Sequence, residues 1–379
     1  MKKKFFELLT EIAYGLVNKE LAYENMEKDE NYYYFQQQEL IKSIQKLALF
    51  MLEHRIVDDD GIPIAPNNET EAIIYYFSKP LDEWPCAVNP AFNELKMLAD
   101  DEEVLVHVYE NDTFFYTTEW CKELADQCHE YNQNAMQQAV YQKLMQVTEE
   151  QYRFLRKFII EQPILDVKAS YDFKRTGKIS GLNEMFLDEF IKVAYEPLPA
   201  NVLGKCRYCG WTVIQSTIHS RCIDSRCKLE TDGFFFIEDI VQPNTKMRLK
   251  SGVMKYICLP GKDELELIKY CQKLRLQTIL WPDKDRYDVR IETKSGVLAI
   301  DIKSYYSPYS LAYHIEQNGL FNRLNEDERP ILVIPDHRIR KQGYLEIVKH
   351  TLSVYKNIQC INVKQLKKLL REEVKNGDI

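Results

Sequence analysis

Two absences limit what this sequence can be. No stretch approaches the roughly 20 apolar residues that a helix needs to cross a bilayer, so membrane-spanning classes are excluded. The chain also lacks an excess of positive charge, because its formal net charge is −8. A uniformly basic surface for nucleic acid is therefore excluded, and any contact with phosphates must depend on a local patch.

The N-terminal segment lacks the features of a secretory signal. Its first residues are basic and then apolar, but Glu7 and Glu11 interrupt the apolar part and no small-residue cleavage site follows. The spacing of Phe5, Leu9 and Leu16 predicts an amphipathic helix instead. We therefore expect a cytoplasmic protein in which the ten cysteines are reduced or bind metal.

The first 150 residues carry no recognisable chemistry. They are predicted to be mainly helical, although the runs at 72–77 and 104–109 are rich in β-branched and aromatic residues, as strands are. His107, His129 and the tyrosine run at 32–34 are interpreted as core or surface residues rather than as ligands.

Four of the ten cysteines are concentrated within 22 residues. Cys206 and Cys209 form a C-x2-C pair followed by Gly210, and Cys222 and Cys227 form a second pair after a segment long enough for a β-hairpin. Two thiolates at this spacing can bind one ion, and the glycine permits the tight turn between them. The spacing predicts a structural zinc site closed by four thiolates; the alternative is four buried free cysteines.

Two further features surround the cysteine pairs. His219 is an alternative zinc ligand, although a surface histidine is the favoured interpretation. Basic residues are concentrated here within an acidic protein, which favours contact with phosphates, but small modules also expose charges because they have little interior. These basic residues are Lys205, Arg207, Arg221, Arg226 and Lys228.

The strongest chemical signal lies in two adjacent strands joined by a short turn. In the first, Asp288 alternates with apolar residues, and in the second a period of two places Asp301 and Lys303 on one face. Charged side chains that project from an aliphatic strand require a reason. Hydrolysis of a phosphodiester supplies one, because Mg²⁺ prefers carboxylate oxygens and a lysine stabilises a charged transition state.

The predicted catalytic residues are Asp288, Asp301, Lys303 and, from the preceding helix, Glu264. Asp288 and Asp301 are expected to bind Mg²⁺ or Mn²⁺, with the backbone carbonyl of Ile302 as a further ligand. Glu264 continues the apolar stripe of its helix, so we expect it to point inward and to complete the coordination or assist proton transfer. Alone, the D-x-K triplet is weak evidence, because exposed charges are common on edge strands.

These residues and their order resemble the PD-(D/E)xK phosphodiesterase superfamily, which has the restriction-endonuclease-like fold. A narrower resemblance is to the restriction-endonuclease-like (REase-like) proteins associated with pPIWI-RE Argonaute-like proteins of prokaryotic defence islands. It is carried by the cysteine knuckle, YRFLRKFIIEQPIL, LWPDKDRYDVRI and IDIKSY. The proline–aspartate element of the superfamily matches Pro282–Asp283, which leaves open whether Asp283 or Asp288 binds the metal.

The narrower resemblance implies DNA cleavage within an anti-phage or anti-plasmid system. It also implies protein partners, namely Argonaute-like and helicase subunits, and cleavage of two strands by nucleases of this fold often requires a homodimer. The alternative to an active enzyme is a catalytically inactive nuclease-fold subunit that binds nucleic acid or acts as a scaffold. A third interpretation is a zinc-dependent binding adaptor in which the D-x-K triplet is coincidental.

The predicted fold class is α/β with several domains. Residues 1–150 are expected to form a mainly helical region for partners or specificity, and 151–199 a helical connector. Residues 200–250 are expected to form a zinc-ribbon module, and 251–379 a nuclease domain with a restriction-endonuclease-like α-β-β-β-α-β core. The predicted function is that of a Mg²⁺-dependent DNA endonuclease that also binds structural Zn²⁺.

Overall fold

The chain divides into two compact units, Met1–Tyr131 and Asn132–Ile379. In the part of the chain that the structure describes, no helix is both long and apolar enough to cross a membrane. This structure, a computed structural model, describes residues 1–25, 30–99, 103–108, 115–128, 132–199, 202–215, 220–223, 226–227, 237–238, 243–339, 343–355 and 357–375.

The first unit is built on an amphipathic helix. Its elements are α1 (Lys2–Asn25), α2 (Glu30–Glu53), α3 (Glu69–Ala72), α4 (Asn93–Lys96), β1 (Val106–Val108), β2 (Phe115–Thr117) and α5 (Glu119–Gln127). Helix α1 packs against α2 and α5 and buries Phe5, Leu9 and Leu16 completely. The amphipathic helix predicted at the N-terminus is therefore confirmed.

The strand predicted at residues 72–77 is wrong, because this segment is helical. Helix α3 continues into a single π-helical turn, and the buried residues Ile73, Tyr76 and Phe77 follow the i, i+3, i+4 spacing of one helix face. β-branched and aromatic content alone misled the prediction here. The run at 104–109 does contain a strand, β1, which pairs antiparallel with β2.

The second unit contains the residues for which chemistry is predicted. Its helices are α6 (Asn132–Met145), α7 (Glu149–Glu161), α8 (Val167–Ile179), α9 (Glu184–Ala194), α10 (Ser251–Val253), α11 (Leu259–Lys273), α12 (Pro308–Asn318), α13 (Tyr344–Leu352) and α14 (Val363–Lys375). Its strands are β3 (Ile164–Leu165), β4 (Tyr195–Pro197), β5 (Val202–Cys206), β6 (Thr212–Gln215), β7 (Ser220–Arg221), β8 (Ile237–Glu238), β9 (Met247–Leu249), β10 (Gln277–Leu280), β11 (Val289–Thr293), β12 (Gly296–Ile302), β13 (Glu328–Ile334) and β14 (Gln359–Asn362).

Two small sheets precede the large one. Strands β3, β9 and β4 form a three-stranded sheet in that order, and the cysteine pairs lie in a second sheet of order β7-β6-β5-β8. Trp211 joins them, because its indole N–H donates a hydrogen bond of 2.9 Å to the carbonyl of Leu249 on β9. Cys206, Cys209 and Cys227 belong to the same apolar core as the helices α7 and α9.

A five-stranded sheet of order β10-β11-β12-β13-β14 forms the C-terminal part. The first three strands are antiparallel, and β12, β13 and β14 are parallel. Leu267 of α11 and Leu366 of α14 pack on one face with Ile300 and Val333. Leu311 of α12 and Val348 of α13 pack with Leu332 on the other face. The result is three layers, with the sheet between two pairs of helices, and the mixed α/β class is confirmed.

Candidate active site and cysteine cluster

The hairpin of β11 and β12 brings Asp288 and Asp301 together. Its register pairs Val289 with Ile300, so Asp288, directly before β11, lies opposite Asp301 of β12. Residues in opposed positions of an antiparallel pair share a face, with Cβ atoms about 4.5–5.5 Å apart. Both are buried, and we call them the strand carboxylates.

The backbone of β12 fixes one of the strand carboxylates. Asp288 Oδ2 accepts a hydrogen bond of 2.6 Å from the N–H of Ile302, which holds the side chain against the end of the strand. Burial raises the pKa of Asp288 well above its usual range, and the Glu264 and Asp301 carboxylates raise it further. A bound cation would relieve this repulsion, since an opposite charge favours the ionised form of a carboxylate.

Lys303 points at the same place. Its Nζ donates to Asp301 Oδ1 at 2.8 Å, and its backbone N–H donates to the carbonyl of Val333 at 3.0 Å, which extends the pairing of β12 with β13. Burial acts to lower the pKa of Lys303, but Asp301 and Asp288 outweigh it, so that its pKa is raised. The lysine is therefore a fixed cation beside the strand carboxylates.

A cavity of about 710 Å³ opens onto these three side chains. His314 of α12 also lines it; burial, reinforced by Lys303, lowers the pKa of this imidazole to about 4, so it is neutral at pH 7. The cavity mouth includes Lys284 and Arg323, which are basic, and Asp283 and Asp285, which are acidic. A polyanionic substrate could thus contact Lys284 and Arg323 at the mouth of the cavity and Lys303 on its floor.

The loop between β10 and β11 has an unusual backbone. Trp281, Asp283, Lys284 and Asp285 all have positive φ angles, between 47° and 79°, a region that residues other than glycine seldom occupy. Asp283 is exposed whereas Asp288 is buried opposite Asp301. This geometry favours Asp288 over Asp283 as the metal-binding aspartate.

Glu264 is buried but it is not free. Only 2% of it is exposed; its two oxygens lie 3.2 and 3.3 Å from Arg156 Nη2, and it accepts a hydrogen bond from the indole N–H of Trp281. Burial raises the pKa of Glu264, Arg156 offsets this only in part, and the pKa is about 7. The predicted inward orientation is thus observed, with an arginine as the partner.

Arg156 was not anticipated among the functional residues. It comes from α7, where it lies on the buried face with Tyr152, and its guanidinium contacts Asp285 and stacks 4.4 Å from the Trp281 ring. A signal was present, because YRFLRKFII places an arginine on the apolar face of an amphipathic helix, where charged residues are rare unless paired.

A close helix contact keeps Arg156 next to Glu264. A Cβ atom on Gly261 of α11 would lie 2.2 Å from Cδ1 of Ile160 on α7, and the thiol of Cys258 donates to the Ile160 carbonyl at 3.6 Å. Only glycine allows the backbone of α11 to approach α7 so closely. This contact positions the two helices that carry the arginine and the glutamate.

The four predicted cysteines do come together. The sulfur atoms of Cys206, Cys209, Cys222 and Cys227 all lie within 4.8 Å of one another, and those of Cys209 and Cys222 are 3.3 Å apart. Zinc bound tetrahedrally with Zn–S bonds of about 2.3 Å requires sulfurs about 3.8 Å apart. The cluster therefore fits a zinc ion.

The knuckle has the geometry that its spacing predicts. Gly210 has a φ of +79°, and the backbone N–H of Trp211 donates to the sulfur of Cys209 at 3.4 Å. Contacts among the four cysteines lower the pKa of the Cys206 thiol and raise the pKa of the Cys222 and Cys227 thiols. N–H donors to sulfur are typical of a zinc knuckle.

Arg226, one of the basic residues near the cysteines, is engaged within the protein. Its Nη1 lies 2.8 Å from Asp263 on α11, and its guanidinium stacks 5.1 Å from the ring of Tyr208. The pKa of Asp263 is raised by burial, and the opposing effect of Arg226 offsets this only in part. This arginine connects the cysteine cluster to the helix that carries Glu264, and contact with phosphates would have to break that ion pair.

The other basic residues differ in exposure. Arg207 is exposed and Lys205 is half-buried, so the proposed contact of this patch with nucleic acid stays a prediction. The residues that lie outside the described part of the chain are His219, Lys228 and the side chain of Arg221.

Residues 261–378 match the family model described as "REase associating with pPIWI_RE". This segment is similar to the REase-like modules that are associated with pPIWI-RE proteins. The narrower resemblance predicted from the sequence is thereby confirmed for it. No curated protein and no solved structure matches the chain. The REase-like module includes Glu264, the strand carboxylates and Lys303, whereas Arg156 and the cysteine cluster precede it.

Proposed function

We propose that this protein is a Mg²⁺-dependent DNA endonuclease that acts together with a pPIWI-RE protein. The observation that supports this most is the position of Asp288, Asp301 and Lys303 on the floor of one cavity, inside a module whose family description is that of an REase. The partner follows from the same description, and a role in defence against foreign DNA follows from the resemblance given above.

The residues on the cavity floor suit a magnesium site. The strand carboxylates supply two hard oxygen ligands, and the carbonyl of Ile302 remains a further candidate. Mg²⁺ is commonly held by one or two carboxylates, with water and substrate phosphate oxygens completing its coordination. Bound there, the ion supplies an activated water and offsets the charge of the scissile phosphate.

The side chains have separate tasks in this mechanism. Asp288, held by the Ile302 N–H, and Asp301 keep two carboxylate oxygens at one place. Lys303 carries its charge to the same place, where it would stabilise the transition state of phosphodiester cleavage. Lys284 and Arg323 at the mouth would bind the flanking phosphates and so orient the strand.

The cysteine cluster would hold zinc and have a structural role. Four thiolates leave no open coordination position for substrate, which distinguishes structural from catalytic zinc. The ion would hold β5 and β6 against the core that also contains α7. The ion pair of Arg226 with Asp263 would hold α11 next to the cysteine cluster.

One observation favours a second candidate, an inactive subunit that keeps the nuclease fold. Glu264 is bonded to Arg156 and Trp281, so it does not offer a free oxygen to a metal ion at the floor of the cavity. If the two strand carboxylates are too few to hold an ion, the protein would bind DNA without cutting it.

Cleavage of supercoiled plasmid by the full-length protein, with Mg²⁺ or Mn²⁺ and with the pPIWI-RE partner added, distinguishes the two candidates. Asp301→Asn and Lys303→Met should each lower the rate about 100-fold or more. The exposed residues Asp327 and Lys349 provide matched controls, Asp327→Asn and Lys349→Met, which should cut like wild type.

Three outcomes would change this assignment. Cleavage by Asp301→Asn at the wild-type rate would show that the site is wrong. DNA binding without any cleavage, in the presence of the partner and either ion, would support the inactive subunit. Preferential cleavage of RNA in parallel reactions would replace DNA as the substrate.

A further inference from the structure

Buried charges near the cavity form two sets by direct contact, although Glu264 of one set raises the pKa of Asp288 in the other. In the first, Lys303 faces the strand carboxylates. In the second, Arg156 faces Glu264 and Asp285. Each set thus contains one fixed cation and two carboxylates, but only the first set has both of its carboxylates on the wall of the cavity; Glu264 does not line it.

Both terminal nitrogens of the Arg156 guanidinium contact neighbouring residues, whereas its buried Nε has no hydrogen-bond partner among the described residues. One nitrogen, Nη2, lies within hydrogen-bonding distance of both oxygens of Glu264, and the other, Nη1, contacts Asp285 and donates to the Tyr152 hydroxyl at 3.0 Å. Its plane stacks on Trp281. Only 2% of Arg156 is exposed, so this cation has no route to solvent and is held in one place.

The same contacts leave Glu264 without a free oxygen. Trp281 donates to one oxygen that Arg156 also approaches, and Arg156 approaches the other. Glu264 comes from α11, which packs on the face of the sheet opposite to α12, whereas the strand carboxylates line the cavity with His314 of α12. A metal ion on Glu264 would have to displace a buried arginine.

We propose that Arg156 is a positioning residue that takes the place of a second metal ion. It neutralises Glu264 and Asp285 and holds the loop between β10 and β11, so that the protein binds a single divalent cation, on the strand carboxylates. This proposal rests on the proposed function, because it assumes a metal site there. It also means that the REase-like module is completed by a residue of α7, outside residues 261–378.

Access to the cavity, rather than charge, supports this division. Arg156 and its two carboxylates carry one net negative charge, but Arg156 and Glu264 are buried and do not line the cavity, so desolvation makes a further multivalent ion between them costly. The strand carboxylates and Lys303 also carry one net negative charge, but they face the cavity. A partly hydrated ion can therefore reach the strand carboxylates but not Glu264.

Mn²⁺ binding to the zinc-loaded, full-length protein tests the stoichiometry without measuring activity. Free Mn²⁺ is followed by electron paramagnetic resonance, and zinc stays on the thiolates because soft ligands disfavour Mn²⁺. Wild type should bind one Mn²⁺. Asp301→Asn should weaken binding about tenfold or more, whereas Glu264→Gln should change it by less than that. Two ions on wild type, or a tenfold loss in Glu264→Gln, would overturn the proposal.

A double-mutant cycle tests the role of Arg156 independently of metal. Measured above pH 7, where Glu264 is ionised, Arg156→Gln and Glu264→Gln should together destabilise the protein less than the sum of the two single changes. Arg156→Gln alone leaves the Glu264 carboxylate without its cation, and Glu264→Gln alone leaves Arg156 with Asp285 as its one carboxylate. Additive effects would overturn the pairing. If Arg156→Gln does not fold, Arg156→Lys replaces it, because an ammonium cannot reproduce the two-nitrogen contacts of a guanidinium and its stacking on Trp281.

The outcomes separate the two proposals. If wild type binds no Mn²⁺, or Asp301→Asn binds it as tightly as wild type, the metal site of the proposed function fails, and with it the single-ion stoichiometry. If Mn²⁺ binding depends on Asp301 and equally on Glu264, the proposed function stands and the role given to Arg156 fails.

Discussion

The cysteine cluster and the carboxylate site are built in different ways. The cysteine cluster takes four identical ligands from a short segment, and a tight turn and a hairpin are enough to bring their sulfurs within 4.8 Å. The carboxylate site joins residues of two strands with an arginine from α7, more than 100 residues earlier in the chain. The cysteine cluster is local, whereas the carboxylate site requires the whole second unit to fold.

This difference decides what each site tolerates. A local metal cluster depends on its ligands and its ion, so it should be lost as a unit when one thiolate is removed. The carboxylate site depends on packing between helices and on charge balance among buried groups. A change in packing or in charge should therefore weaken it gradually rather than abolish it. The variants below test this contrast, from the largest expected effect to the smallest.

Cys206→Ser should have the largest effect on stability. A structural zinc site contributes on the order of 10 kcal/mol of folding free energy, and Cys206 also belongs to the core that contains α7. We expect loss of bound zinc, measured by metal analysis, and a lowered free energy of unfolding for the second unit. Cys360→Ser, at a buried cysteine outside the cluster, is the control and should retain zinc; full zinc occupancy in Cys206→Ser would refute the ligand assignment.

Glu264→Gln should remove a pH dependence of stability. The pKa of Glu264 is about 7 in the folded protein, against an ordinary value of 4.5, so between these pH values the folded state holds a proton that the unfolded state has lost. The contribution of Glu264 to the free energy of unfolding therefore falls as pH rises through this window, by about 3 kcal/mol in total. Denaturant unfolding at several pH values measures the slope.

A matched control isolates this effect. Glu346→Gln, on the exposed side of α13, removes the same charge and should keep the wild-type slope. An unchanged slope in Glu264→Gln would mean that the buried carboxyl does not titrate in this window.

Sequence reasoning anticipated the local features and missed those that depend on packing. The spacing of the cysteines alone predicts the zinc knuckle. Strand alternation predicts that Asp301 and Lys303 share one face. It does not choose between Asp283 and Asp288, which required the geometry. The partner of Glu264 could not be predicted, because it depends on the contact of α7 with α11 at Gly261. The helical segment at 72–77 was missed because the composition of a run does not reveal its period.

Gly261→Ala should have an intermediate effect, through packing. The added methyl group would lie 2.2 Å from Cδ1 of Ile160, and overpacking of this kind costs about 1–3 kcal/mol. Ile160→Val removes that Cδ1 atom, so the double variant should be more stable than the sum of the two single changes predicts. Strict additivity in thermal unfolding would show that α7 and α11 do not meet at this glycine.

Arg207→Ala should have the smallest effect on stability and should change DNA binding instead. Arg207 is exposed, and surface substitutions usually alter stability by less than about 0.5 kcal/mol. If it contacts a phosphate, its loss should weaken binding to all DNA sequences and lower the salt dependence of the affinity by about one ion. Arg226→Met should do the reverse: its ion pair with Asp263 is largely buried, so stability should fall while the salt dependence stays the same. Unchanged salt dependence in Arg207→Ala would limit the cysteine cluster to a structural role, and a changed one in Arg226→Met would show that this ion pair opens when DNA binds.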